Sequence, residues 1–69
     1  MKIIQFFMYG TQPSAEFEIN GIKNNGIVCN ENGNNYVCTG SDFYKNLTKH
    51  YFTDSLNGEL NEFLRKFQS

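Results

Sequence analysis

The stretch Gly26-Ile27-Val28-Cys29-Asn30-Glu31-Asn32-Gly33-Asn34-Asn35-Tyr36-Val37-Cys38 decides the fold. Two short apolar runs enclose a polar segment that contains an Asn-Gly pair, the pattern of a β-hairpin. Side chains alternate along a strand, so both cysteines fall on one face of this hairpin. Two registers are open. With Gly33-Asn34 as the turn, Cys29 faces Cys38 with Cα atoms about 4.5 Å apart, near the short end of disulfide range. With Asn32-Gly33 as the turn, Cys29 faces Tyr36 and the cysteines are diagonal neighbours. A Cys29–Cys38 disulfide closing so short a loop would add roughly 2–3 kcal/mol. Two reduced cysteines packing as small apolar residues are the simpler reading in a cytoplasm.

Upstream, Ala15-Glu16-Phe17-Glu18-Ile19-Asn20 alternates without fault and directs Ala15, Phe17 and Ile19 inward. After Gly21 the alternation slips, because Ile22 falls on the glutamate face; a bulge at Gly21 would restore it. Asn24-Asn25-Gly26 reads as the next turn. The segment Lys2–Tyr9 is apolar on both sides, which suits a central strand or one covered on its second face. Gly10 to Pro13 reads as a loop. Together these segments predict a small antiparallel sheet of three to four strands within residues 2–40.

Downstream of Ser41 the period changes. Ser41 can cap a helix, Asp42 suits its positive end, and Phe43, Leu47 and Tyr51 recur at four-residue spacing. Leu56, Leu60, Phe63, Leu64 and Phe67 form a second helical stripe. On one straight helix the two stripes would point to opposite sides. The spacing therefore predicts two helices, residues 41–52 and 56–68, or one kinked helix, packed on one face of the sheet. A straight helix serving two surfaces remains an alternative. The fold class is α+β, with residues 1–69 forming a single domain.

Composition narrows the function. Sixty-nine residues with seven Phe, four Tyr and no Trp carry a net charge of −1. Acids and bases are interspersed, so no basic field attracts a phosphate backbone. The run Ile3–Met8 is too short to span a membrane, and no small-residue cleavage site follows it. We read it as a buried strand of a cytoplasmic protein. On that reading Asn46-Leu47-Thr48 matches the glycosylation pattern by chance. The single histidine, His50, has no marked nucleophile beside it. Glu16 with Glu18, and Glu59 with Glu62, read as ordinary solvated faces rather than a catalytic pair. Neither a Cys-x-x-Cys nor a His pair offers a metal site, so neither enzyme activity nor a cofactor is expected.

What remains is an apolar surplus in a very small chain. A chain of this size buries only about 60% of its unfolded surface. Large exposed apolar patches usually mark interfaces. The expectation is a non-catalytic protein-binding module, acting on a protein partner or as a homodimer. The candidate contact residues are Phe6, Tyr44, Tyr51, Phe63 and Phe67. Small, motif-poor polypeptides of this kind are often regulators or inhibitors of host complexes made by phages and mobile elements, including anti-defence proteins. One alternative is single-stranded nucleic-acid binding through Lys45, Lys49, Tyr44 and Tyr51, since aromatics interleaved with cations can stack on bases. Lys45 and Lys49, with His50 beside them, are three weak cations in an acidic chain and make that footprint poor. Another alternative is a small secreted domain stapled by Cys29 and Cys38.

Overall fold

The structure, a computed structural model, describes residues 1–40 and 47–68. It is an α+β arrangement of two three-stranded antiparallel sheets and one C-terminal helix. Sheet A has the order β1 (Lys2–Tyr9), β2 (Gln12–Ile19), β3 (Ile22–Ile27). Sheet B has the order β4 (Cys29–Glu31), β5 (Asn34–Thr39), β6 (Thr48–Tyr51). Helix α1 runs from Asp54 to Gln68.

Three two-residue turns build the hairpins. Gly10-Thr11 joins β1 to β2, Asn20-Gly21 joins β2 to β3, and Asn32-Gly33 joins β4 to β5. Both residues of each Asn-Gly turn have positive φ, the left-handed conformation that the primed hairpin turns demand. The Asn20-Gly21 turn sets Ile19 directly opposite Ile22, so no bulge forms at Gly21. The change of face that suggested one is simply the chain reversing direction. Asn24-Asn25-Gly26 does not turn either. It lies within β3, where Asn24, Asn25 and Gly26 pair with Phe17, Glu16 and Ala15.

Direct pairing fixes which side chains share a face. Ile3 lies opposite Phe17 and Phe6 opposite Ala15, on the inner face of sheet A. Ala15 and Phe17 are fully buried there and meet Val37 of sheet B, with Ile3, Phe6, Ile19, Val28 and Phe52 packed around them. The sheets join through this cluster, where β3 lies against β5 and the Val28 N–H donates to the Pro13 carbonyl at 2.9 Å. β1 is an edge strand, not a central one. A register shift between Ile3 and Gln5 places one extra residue on its first half.

The expected helix over residues 41–52 is corrected in part. Residues 41–46 lie outside the described residues, and Thr48–Tyr51 is strand β6, paired with β5. The helical inference failed because a four-residue spacing is also a multiple of two. Leu47 and Tyr51 would share a face in a strand as readily as on a helix. Thr48 and Tyr51 are also better suited to a pleated surface than to a helix. The helix expected over 56–68 begins earlier and is single. Its cap is Thr53, whose Oγ1 accepts the Leu56 N–H at 3.2 Å. Asp54 in the first turn and Arg65 and Lys66 in the last complement its dipole. Leu60 is buried beneath it, and the Asn35 amide donates to the Asn57 side chain at 3.0 Å, tying the helix to β5.

Candidate interaction surface

The helix and β1 together build a line of aromatic rings. Phe6 stands 6.2 Å from Phe52 and 5.9 Å from Phe63, and Phe63 lies 6.1 Å from Phe67 (centroid distances). These separations and tilts fall in the favoured range for aromatic pairs. The line begins in the half-buried interior and ends at Phe67, which is 59% exposed. Phe63 and Phe67 meet because four residues make about one helical turn. Phe6 reaches them because its opposite residue, Ala15, faces the same interior.

One end of the outer face of sheet A, away from the helix, is a second apolar surface, while Glu16, Glu18 and Lys23 occupy the rest of that face. A shallow concavity of about 270 Å³ is lined there by Phe7, Tyr9, Ser14, Asn25, Gly26 and Ile27. Tyr9 is 71% exposed and Ile27 45%. Ser14 is buried at its floor, where its hydroxyl donates to the Gln12 carbonyl at 3.4 Å. Phe7 and Ile27 come together because each lies directly across from Ser14 on its own side of β2.

The outer face of sheet B carries a polar cluster around Glu31. Tyr36 and Tyr51 sit opposite each other with centroids 5.4 Å apart, and the Lys49 ammonium lies 5.1 Å from the Tyr36 centroid. Glu31 binds both neighbours: Lys49 Nζ donates to one carboxylate oxygen at 3.0 Å and the Tyr51 hydroxyl to the other at 2.8 Å. Donation by Lys49, then by Tyr51, holds the Glu31 carboxyl below its ordinary range. The same bonds push Lys49 and Tyr51 up, while partial desolvation raises the Tyr36 phenol.

Cys29 lies opposite Tyr36 and Cys38 opposite Lys49, so the hairpin adopts the Asn32-Gly33 register and the cysteines are diagonal neighbours. No disulfide joins them. Both line a concavity of about 360 Å³ beside Tyr36, Ile27 and Leu47. His50 lies opposite Val37, on the face of sheet B away from the cysteines, and its Nε2 is 2.9 Å from the Thr39 hydroxyl. Among the described residues, no group of three or more His, Cys, Asp or Glu side chains is arranged to hold a metal ion. No helix among them is long and apolar enough to cross a membrane.

The residues expected to form one contact surface therefore separate. Phe6, Phe63 and Phe67 are brought together, whereas Tyr51 belongs to the Glu31 cluster on sheet B. Tyr44 and Lys45 lie outside the described residues. Sequence reasoning missed Phe52 and the groove formed by Phe7, Tyr9 and Ile27. The groove depends on the Asn20-Gly21 turn, which aligns β3 with β2, and a correct reading of that turn would have revealed it. No family model, curated protein or solved structure matches the chain.

Proposed function

We propose that this chain is a non-catalytic protein-binding module that uses the apolar surface around β1 and α1. One observation carries the reading. Among the described residues only Ala15, Phe17, Val37 and Leu60 are buried apolar residues, while Tyr9, Ile22, Ile27, Phe67 and four other large apolar residues stand exposed. An inhibitor or regulator of a host protein complex, of the kind phages and mobile elements encode, fits a small chain whose free surface is its main chemical resource. The nucleic-acid reading is weaker, since Glu31 already engages both Lys49 and Tyr51. A disulfide-stapled domain is weaker too, because diagonal strand neighbours stand about 7–8 Å apart, wider than disulfide geometry favours.

Affinity capture from the native host tests the proposal. Phe67→Ser alters an exposed ring and leaves the core intact. It should weaken recovery of the captured protein about tenfold, as truncating an aromatic anchor does. Lys49→Ala should leave recovery unchanged. Equal recovery with native protein and Phe67→Ser would contradict the proposal, as would retention on single-stranded nucleic acid that depends on Lys49.

A further inference from the structure

The edge of sheet A has a chemistry more specific than its faces. Among the described residues β1 is paired with β2 alone, which leaves its outer side without a neighbouring strand. Unpaired strand edges are templates for another strand, and natural sheets normally guard them with charge, proline or short length. The other edges are guarded. β3 carries Lys23 and lies against β5, β4 has three residues including Glu31, and β6 has four including Lys49. β1 has eight residues, and from Ile3 to Tyr9 it contains no charge, proline or glycine. Such a segment is the composition that self-pairs. Its one irregularity lies between Ile3 and Gln5; from Gln5 to Tyr9 the pairing with β2 is uninterrupted.

We propose that β1 pairs antiparallel with β1 of a second copy of this chain, centred on Phe7, to give a continuous six-stranded sheet. This rests on the protein-binding reading and names the partner. A twofold axis at Phe7 uses the whole regular segment, placing Phe6 against Met8 of the other copy and Gln5 against its Tyr9. Phe6 and Met8 share the inner face, where sulfur–aromatic contact is favourable. The two Phe7 rings meet on the outer face and join the two concavities lined by Phe7, Tyr9 and Ile27. The antiparallel sense also carries the two Lys2 residues to opposite ends, whereas a parallel pair would set them side by side.

Sedimentation equilibrium of the full chain from micromolar to millimolar concentration tests it. The mass should rise from 8.0 kDa towards twice that value. Phe7→Lys and Phe7→Glu should each remain monomeric, because like charges then stand directly opposite. An equimolar mixture of the two variants should dimerise again. Circular dichroism checks that each variant is folded. Should either fail to fold, hydrogen exchange on the native chain decides, with Gln5–Tyr9 amides slowing as concentration rises. The proposal is overturned by a mass of 8.0 kDa at every concentration, by dimers indifferent to both variants, or by exchange in β1 that ignores concentration. A monomeric result would leave the Phe67-dependent capture of another protein standing, so the two readings fail separately.

Discussion

Sheets A and B have the same number of strands but are held by different forces. Sheet A has strands of eight, eight and six residues and places Ala15 and Phe17 in the core. Sheet B has strands of three, six and four residues and contributes Val37 alone to that core. Its short ladders are reinforced by side-chain bonds: Glu31 to Lys49 and Tyr51, Asn30 to Asn35, and Thr39 with His50. Long strands can rely on burial, which does not depend on the ionisation of any one side chain. Short strands gain a comparable hold only through polar contacts, which do.

The largest effect should come from the centre of sheet A. Phe17→Ala removes a fully buried ring and should cost about 3–5 kcal/mol, out of the roughly 3–10 kcal/mol expected for a chain of this length. Urea titration followed by circular dichroism should show little folded protein remaining. Val37→Ala is the matching change in sheet B and should cost about 2–3 kcal/mol. Equal losses at the two positions would break the contrast. Asn57→Ala removes the bond from α1 to Asn35 and should cost about 0.5–1.5 kcal/mol, seen in hydrogen exchange as faster opening of the helix start.

The smallest effect sharpens the contrast most. Glu31 has a lowered folded pKa, so its contribution is complete above the unfolded carboxylate value and fades as pH falls through the folded one. Lys49 and Tyr51 have raised folded pKa values. Their contributions are complete below the unfolded values and fade as pH climbs through the folded ones. Local stability of sheet B, read from amide exchange in β4 and β6, should therefore be flat through neutral pH and fall at both extremes. Glu31→Gln and added salt should each lower it slightly, since the pair is solvent-exposed. Sheet A should not respond to Glu31→Gln.

The sequence was legible where one pattern had one meaning. Ala15, Phe17 and Ile19 alternate between glutamates, and they are the inward residues of β2. The amphipathic run from Leu56 to Phe67 is a helix, although its cap is Thr53. Legibility failed where one pattern had several meanings. Four Asn-Gly pairs occur, at residues 20–21, 25–26, 32–33 and 57–58; the first and third are turns, the second lies in β3 and the fourth in α1. The pair at 25–26 stays extended because it pairs with β2, Asn25 opposite Glu16 and Gly26 opposite Ala15. That pairing is set by the turn at Asn20-Gly21 and is invisible in the local propensity of Asn25-Gly26. Leu47 and Tyr51 fit both periods, and pairing with β5 settled β6 as a strand. The contact surface was half legible for the same reason. Phe63 and Phe67 follow from helical spacing, whereas the Phe7–Ile27 groove needs the register of two hairpins.

The account depends on the exposed rings being covered when the protein works. Hydroxyl-radical footprinting of Phe67 and Tyr9 tests this directly, comparing the dilute purified chain with the particle isolated from its native source. Both rings should label readily in the dilute chain, and at least one should become strongly protected in the native particle. Equal labelling of both rings in the two samples would contradict the account.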